Sequence, residues 1–392
     1  MKKIIIVLTS LLCSTGFAQD LSKSPKVANL VNGLTVCDRS LLKDTITLPL
    51  SYFTEEMKIV KLEMSDEAVV APTPVIIGEQ HFLVKGSGNN PYKLFSKDGK
   101  FITNIGGRGR GPGEYQNVYD EALDEKNDRI YLLPWSSQVI LVYDLKGKAL
   151  DPVRLPMNVP KGKFFVDPSG TMVTVFALPF EGSPYITWTQ KMSGELVNGI
   201  APGNLAINPR NASGAFTGFN NEVMSGKHTS KIDAFLFTFG ERRDTLYHYD
   251  SNVNKLLPQF TVNYGNRNLP IFTYHELPRH YMGSFSETIQ TGPNTFGTTK
   301  HSFFVVEKGA LKGSFFKLKN DYFDDQIIDF PVYTFSNGYF VRNYDPGDLL
   351  EHLEKALSNR NLSAAMRQKL TQLMNSISEK DNNYIFYAKI KQ

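Results

Sequence analysis

A hairpin pattern that recurs at spacings of 48 and then 47 residues constrains the fold of this chain more than any other feature. The three stretches are YKLFSKDGKFITNIG, VILVYDLKGKALDPVRL and YITWTQKMSGELVNGI. Each has an alternating apolar run, a short polar turn that contains a glycine, and a second alternating run. The turn glycines are Gly99, Gly147 and Gly194. Because glycine tolerates the positive φ that such turns require, each stretch is predicted to form a β-hairpin.

Further pairs of short strands precede the hairpins. In VYDEALDEKNDRIYLLPW the turn falls at residues 124–128, and in FFVDPSGTMVTVF it falls at residues 167–170. Four short strands every ~45–50 residues form the blade unit of a β-propeller. Less regular fourth and fifth copies include IDAFLFTF and HSFFVVEKG. The predicted fold class is all-β, a six-bladed β-propeller with five continuous blades and one composite blade.

The C-terminal region interrupts the strand pattern with a small helical insert at about residues 346–380. Its second half has apolar residues at helical spacing, namely Met366, Leu370, Leu373 and Ile377. The closing NYIFYAKIK returns to strand alternation, and the N-terminal TITLPL and MKIVKLEM offer strands beside it. Joining both termini in one blade closes the ring and removes exposed sheet edges. We therefore expect an N-terminal lead-in at residues 19–43 and the propeller at residues 44–392.

The first residues are typical of a secretory signal peptide. Lys2 and Lys3 precede an apolar run at residues 4–13, and the small residues at 16–18 suit a cleavage site. Cys13 comes too early for a lipoprotein signal, so lipidation is disfavoured. No later stretch has the ~20 apolar residues that a membrane span needs. We expect residues 1–18 to be cleaved and the protein to be exported to the periplasm or the extracellular space.

The charge balance argues against nucleic-acid binding. The formal net charge is +4, from 43 Lys and Arg against 39 Asp and Glu. Cleavage of the signal would remove Lys2 and Lys3 and leave 41 against 39, whereas nucleic-acid binders have a clear basic excess. Cys37 would be the one remaining cysteine, so no intrachain disulfide is expected.

The run GGRGRGPGEY at residues 106–115 is the most unusual local feature. It lacks the glycine spacing of a dinucleotide-binding fingerprint, and no helix pattern follows it. It also lacks the Lys-Ser/Thr pair of a Walker loop. The run lies between an outer strand and the inner strand of the next blade. It is therefore predicted to be an inter-blade crossover, with Glu114 paired to Arg108 or Arg110.

A binding role for this crossover is a second interpretation. Such crossovers line one mouth of the channel in propellers, and APGNLAINPR, NYGNRNLP and ELPRHY add further cations, including Arg279 and His280. Arginine forks suit carboxylates and phosphates. The candidate residues for an anionic ligand are Arg108, Arg110, Glu114, Tyr115, Arg210 and Arg267.

Catalytic and metal-binding patterns are weak. The two histidines of HELPRH, His275 and His280, have Pro278 between them, which disfavours the helix of a zinc site. NDYFDDQIID lacks the alternating aspartates of a calcium-binding loop. Carboxylates from several blades could still meet at the channel, and Asn117, Asp120 and Glu121 lie near an inner strand. No cofactor is predicted, although a divalent metal such as Ca²⁺ stays open, and no catalytic residue is assigned.

The GPGEY run, DTLYHYD with LLPQFTVNYG, and the closing DNNYIFYAKIK together resemble the exported six-bladed β-propeller proteins of Bacteroidetes, which have NHL-like and TolB-like architecture. The resemblance extends over nearly the whole mature chain and implies fold and export. Many members look like lipoproteins, and this signal does not. The resemblance brings no established activity and no catalytic residues.

These features favour an exported binding module for an anionic glycan or peptide at the channel mouth. The alternative is a metal-dependent hydrolase or lactonase that uses the same mouth. A third possibility is a structural partner of an envelope protein, which would show an exposed apolar face.

Overall fold

The computed structural model describes residues 21–208, 221–238, 245–265, 270–292, 295–323 and 325–392, together with the backbone of Ile5–Leu8. Within these residues the chain forms six mainly antiparallel sheets, which are the blades of a β-propeller. The predicted all-β, six-bladed β-propeller is confirmed. The prediction that only one blade is composite is wrong, because blades 4 and 5 also include strands of the N-terminal segment. Apart from Ile5–Leu8, the predicted signal segment lies outside the described residues.

Blades 1, 2 and 3 have four strands each, in chain order from the channel outward. The strands of blade 1 are Val75–Ile77, His81–Val84, Tyr92–Ser96 and Phe101–Ile105. Those of blade 2 are Val118–Asp124, Arg129–Pro134, Ser137–Tyr143 and Ala149–Val159. Those of blade 3 are Gly162–Val166, Met172–Ala177, Thr187–Lys191 and Leu196–Ile200.

The recurring glycines lie where the sequence pattern places them. Gly99, Gly147 and Gly194 are in the turns between the third and fourth strands of these blades, with φ of +85°, +82° and +93°. Side chains rarely adopt this backbone region, because a Cβ atom would crowd the neighbouring carbonyl. The period of the pattern is therefore the period of the blades.

Blades 4 and 5 are extended by strands from the N-terminal segment. Blade 4 consists of Glu222–Met224, Ile232–Phe237, Thr245–Asp250, Lys255–Asn263, Leu34–Asp38 and Ala28–Val31. Leu34–Asp38 pairs in parallel with the fourth strand. Blade 5 consists of Ile271–Glu276, His280–Ser286, Ser302–Glu307 and Gly313–Lys319, with Ile327–Ile328 and Thr45–Pro49 both paired to its fourth strand.

Blade 6 joins the two ends of the propeller. Its strands, from the channel outward, are Phe335–Ser336, Tyr339–Tyr344, Tyr384–Lys389, Met57–Lys61 and Ile5–Leu8. The closing pair is antiparallel, with Ile385 opposite Val60 and Phe386 opposite Ile59. The chain then leaves Met57–Lys61 for the innermost strand of blade 1.

This topology gives the propeller two distinct faces. The crossover face holds the segments that lead from an outer strand to the next inner strand, such as residues 62–74 and 106–117. The turn face holds the turns between the first and second strands, such as residues 78–80, 125–128 and 277–279. Residues on these two sets of loops are separated by the length of the inner strands.

The apolar core is divided among the blade interfaces. Six clusters of buried side chains each lie between two neighbouring blades. The cluster between blades 6 and 1, for example, contains Val60, Ile385, Val75 and Phe82. Each sheet thus buries both of its faces, and its apolar surface leaves water only when both neighbours are in place.

In the described part of the chain, three α-helices accompany the sheets: α1 at Leu50–Phe53, α2 at Pro346–Ser358 and α3 at Ala364–Asn375. The Asp345 carboxylate accepts a hydrogen bond from the Gly347 N–H at 2.8 Å, which caps α2. The apolar faces of α2 and α3 pack into the cluster between blades 5 and 6 through Leu349, Leu353 and Leu370. No helix among the described residues is long and apolar enough to cross a membrane.

Shorter elements complete the described chain. Two small ladders pair Gly107–Arg108 with Glu114–Tyr115, and Thr288–Gly292 with Thr295–Thr298. Short 3₁₀ helices lie at Leu21–Lys23, Arg39–Leu41, Glu125–Asn127, Gly203–Leu205 and Pro331–Tyr333.

Replacing Gly99 with alanine should destabilise the protein more than replacing Gly182. Both glycines have nearly the same φ, +85° and +83°, so each variant incurs about 1–2 kcal/mol of backbone strain. A Cβ at residue 99 would also lie 2.2 Å from the Lys61 carbonyl oxygen, whereas at residue 182 it would meet no atom within 4 Å. We expect Gly99→Ala to cost about 1–3 kcal/mol more in urea unfolding. Equal midpoints for the two variants would contradict this.

Candidate functional site

A group of buried charges lies where the inner strands of blades 2 and 3 meet. Asp120 is 5% exposed. Its carboxylate accepts hydrogen bonds from Lys163 Nζ at 3.2 Å, from Lys227 Nζ at 2.6 Å and from the Phe164 N–H at 2.8 Å. Burial alone would raise the pKa of Asp120, but Lys163 and Lys227 more than offset that effect and hold the pKa below its usual value.

Lys227 reaches this carboxylate from a different part of the ring. It belongs to the loop after the first strand of blade 4, where its backbone has φ of +51°. Its ammonium lies 4.8 Å from the centroid of the Phe164 ring of blade 3 and binds Asp120 of blade 2. One lysine thus connects three blades, and it shares the Asp120 carboxylate with Lys163.

The neighbouring carboxylates are engaged in the same way. Glu121 accepts from Lys85 Nζ at 3.3 Å and from the Tyr92 hydroxyl at 2.9 Å. Glu222 pairs with Lys161 at 2.6 Å. Because each of these carboxylates already has an ammonium partner, this part of the ring favours internal ion pairs over an external ligand.

Blades 4 and 5 contribute buried histidines instead. Burial lowers the pKa of His228 to about 3 and that of His275 to about 4, so both rings are neutral near pH 7. The Glu276 carboxylate binds His248 Nε2 and Lys308 Nζ, each at 2.5 Å. Burial also raises the pKa of Asp233 to about 7.

The candidates for a metal site do not come together in the described part of the chain. No group of three or more His, Cys, Asp or Glu side chains there is arranged to hold a metal ion. Asp120 and Glu121 have ammonium partners, and Asn117 is exposed on a crossover. The Asp321 carboxylate accepts the Ser51 N–H at 3.0 Å, and Asp325 pairs with Lys319 at 3.0 Å. Asp324 lies outside the described residues.

The glycine run forms a compact crossover held by tyrosines. Tyr115 is buried, and its hydroxyl donates to the Ile105 carbonyl at 2.7 Å and accepts from the Tyr92 N–H at 2.8 Å. Burial raises its pKa to about 12. Gly106 has φ of +59°, and a Cβ there would lie 2.7 Å from the Tyr143 hydroxyl. Tyr115 is thus a structural residue of the loop, and glycine is required for close packing.

The expected ion pair within this loop is absent. The Glu114 carboxylate accepts the Gly111 N–H at 2.8 Å, and it forms no ion pair with Arg108 or Arg110, all three residues being among those described. A parallel pairing of residues 107–108 with residues 114–115 brings Glu114 over its own backbone instead. Arg108 is half-buried and Arg110 is exposed, and neither has an ion-pair partner among the described residues.

The other predicted cations do not all join this loop. Arg210 and Arg267 lie outside the described residues. ELPRHY is not a crossover, because only residues 277–279 separate the first and second strands of blade 5. Arg279 is therefore exposed on the turn face, opposite the glycine run. His280 packs against Tyr52 and Phe53 in the core, and burial lowers its pKa to about 4.

A cavity on the crossover face escaped the sequence analysis. It lies between blades 6 and 1, at the inner ends of the crossovers into both, and has a volume of about 260 Å³. Its polar lining includes Arg342, Glu121, Tyr333, Thr334, Ser336 and Asn343. Arg342 is half-buried and has no ion-pair partner in the described part of the chain. Since the lining combines residues 333–343 with Glu121 and with residues 72–76, no local motif could have revealed the cavity.

Cys37 is a buried free cysteine. Burial raises the pKa of its thiol to about 12, with a smaller contribution from Asp38. The thiolate that a nucleophile or a metal ligand requires is therefore not populated near pH 7.

Two solved structures are similar to this chain. A protein of Bacteroides fragilis named "Putative exported protein" has a TM-score of 0.58 at 16% identity, over 91% of this chain and 100% of its own. A DUF4221 family member from Bacteroides vulgatus has a TM-score of 0.46 at 12% identity, over 86% of this chain and 97% of its own. No curated protein matches the sequence. The first of these likenesses supports the propeller fold.

A family model also matches most of the chain. The match extends over residues 35–389, and the family is described as "Domain of unknown function (DUF4934)". It begins inside the strand Leu34–Asp38 that extends blade 4 and ends with the last residue of Tyr384–Lys389. The pair that closes the ring and strands of all six blades fall within it, whereas Ala28–Val31 of blade 4 and Ile5–Leu8 of blade 6 lie outside it. The chain therefore belongs to the DUF4934 family.

Proposed function

We propose that this protein is an exported β-propeller binding module whose crossover face takes an anionic glycan or peptide. The observation behind this proposal is that three arginines on that face, Arg108, Arg110 and Arg342, have no ion-pair partner among the described residues. Export, cleavage of residues 1–18 and kinship with NHL-like and TolB-like propellers stay predictions. A relative named as exported supports the first of these.

The contrast between the inside of the ring and its surface supports an anionic ligand. At the inner strands, Asp120 and Glu121 each have a lysine partner, so neither carboxylate is left unpaired. On the crossover face, the guanidinium N–H groups of Arg108, Arg110 and Arg342 have no ion-pair partner among the described residues. A guanidinium presents a planar fork that matches a carboxylate or phosphate with two parallel hydrogen bonds.

The arrangement favours binding over metal-dependent hydrolysis. A hydrolase of that kind would need several carboxylates or histidines converging on one ion. The candidates Asp120 and Glu121 instead converge on lysines, and a nearby ammonium competes with a divalent cation for the same oxygens. In the part of the chain that the structure describes, no group of carboxylates or histidines supports the hydrolase alternative.

Removing both arginines of the glycine run should weaken binding of an anionic oligomer. The probe is a galacturonate trimer or an acetylated glutamate-rich peptide. We expect Arg108→Ala/Arg110→Ala to bind it at least about 10-fold more weakly than the wild type, because a charge-assisted hydrogen bond contributes about 1.5–3 kcal/mol. Fluorescence anisotropy at low salt measures the change. The free variant should keep its melting temperature, since neither side chain makes a hydrogen bond in the described structure.

Arg279→Ala is the matched control for this experiment. Arg279 is an exposed arginine on the turn face, so its removal changes the net charge without touching the crossover face. We expect its affinity to equal that of the wild type. If Arg279→Ala weakened binding as much as the double variant, the attraction would be one of net charge alone, and the proposed face would be wrong.

Divalent metals should leave the melting temperature unchanged. A ligand that binds only the folded state raises the melting temperature, by an amount that grows with its concentration relative to Kd. With 1 mM CaCl₂ or ZnCl₂ against EDTA, we expect no shift, because the metal candidates Asp120 and Glu121 have ammonium partners. A metal-dependent rise that Asp120→Asn abolishes would instead favour the hydrolase alternative.

A further inference from the structure

We propose that the cavity between blades 6 and 1 binds one acidic sugar residue, a hexuronate, with Arg342 holding its carboxylate. This inference rests on the proposed function and narrows it to one cavity and one ligand class. The cavity opens on the crossover face, where an oligomer bound at Arg108 and Arg110 could also present a residue to it.

The size of the cavity limits the ligand. Its volume of about 260 Å³ lies just below the ~300–1,000 Å³ that is usual for pockets that hold drug-sized ligands. A single monosaccharide or amino acid suits this volume, and a nucleotide or a longer peptide does not. Pro72, Pro74 and Val75 supply apolar walls on one side.

The charges select a monoanion. Glu121 is neutralised by Lys85 at 3.3 Å, so the pair adds no net charge to the cavity. Arg342 has no such partner in the described part of the chain, and it therefore leaves one positive charge there. A hexuronate has one negative charge, which matches it, whereas a diacid or a phosphate monoester would have an excess.

The same arrangement disfavours an amino acid. The α-ammonium of an amino acid would need a free carboxylate, and Glu121 already binds the Lys85 ammonium and the Tyr92 hydroxyl. The two oxygens of a carboxylate together have about four lone-pair sites, so Glu121 can still accept a hydrogen bond from a neutral hydroxyl. Thr334 and Ser336 add hydroxyl groups to the lining. These groups fit the hydroxyls of a sugar.

An aromatic side chain borders the cavity. The Tyr333 side chain is 47% exposed, which is unusual for a large ring that lines a cavity. Its ring meets His275 edge-on at 84°, and its hydroxyl lies 3.2 Å from Thr273 Oγ1, so its position is held by blade 5. Such a ring offers an apolar surface to the C–H face of a sugar, with its polar end already in place.

The cavity wall is pre-built. The Asn343 amide donates to the carbonyls of Ala71 at 3.0 Å and Thr73 at 2.9 Å, and its oxygen accepts from Asn383 at 2.9 Å. Asn343 thus fixes the crossover at residues 71–73 against blade 6 as a positioning residue. Because the wall is already fixed in this way, little free energy is lost to ordering of the protein when a ligand binds against it.

Isothermal titration calorimetry with D-galacturonate, D-galactose and L-glutamate tests this assignment. We expect the wild type to bind galacturonate at least about 10-fold more tightly than either of the others, the equivalent of one charge-assisted contact. Arg342→Gln should lose galacturonate binding by the same factor, and Tyr333→Ala should also weaken it. Arg360→Gln, an exposed arginine between α2 and α3, is the matched control and should bind like the wild type.

The outcomes separate this inference from the proposed function. If galacturonate does not bind, or binds Arg342→Gln equally well with an unchanged melting temperature, the cavity assignment is wrong. Loss of oligomer binding in Arg108→Ala/Arg110→Ala would still support the anion-binding face in that case. Conversely, if that double variant binds both oligomer and galacturonate normally while Arg342→Gln does not, the cavity stands and the glycine run is only a crossover. Tighter binding of glutamate than of galacturonate would overturn the sugar assignment.

Discussion

The pairing of Met57–Lys61 with Tyr384–Lys389 is the interaction on which the ring depends. Every blade buries apolar side chains on both of its faces, so each cluster requires two neighbouring sheets. Without the closing pair, the side chains of Val60 and Ile385 between blades 6 and 1 would face water, and an unpaired strand edge would be exposed. The cavity between the same two blades exists only because this pair brings them together.

Much of the ring could be predicted from the sequence, because its blades repeat at a regular spacing and their turns need glycine. The hairpins were predicted correctly from Gly99, Gly147 and Gly194. A turn that needs a positive φ favours glycine at that position, so the requirement is visible in the local sequence. Closure by both termini followed from the need to remove free edges. The addition of Leu34–Asp38 to blade 4 and of Thr45–Pro49 to blade 5 could not be predicted, because parallel pairing between distant segments has no short-range signature.

The candidate site was less accessible to sequence reasoning. The glycine run is conspicuous in sequence, yet its glycines serve close packing against Tyr143 and Glu114, and Tyr115 is a buried anchor. Arg342 lies in an ordinary strand, and it lines a cavity together with Glu121 of blade 2 only once the ring is complete. Likewise, nothing near Asp120 in sequence indicates that Lys227 will neutralise it. A charged residue such as Asp120 can have an ion-pair partner that is distant in sequence. Arg342 is the opposite case, because it has no ion-pair partner among the described residues.

The N-terminal strands have a consequence for the order of folding. Cys37, Leu48 and Ile59 pair with residues 225, 270 and 327 positions further along the chain. During synthesis these early segments have no partner until almost the whole polypeptide exists, and contacts of such separation are slow to form because the loop entropy is lost first. Blades 1 to 3 can assemble from consecutive residues in the meantime. The N-terminal strands are therefore synthesised first but pair last, and they complete blades 4, 5 and 6 in that order.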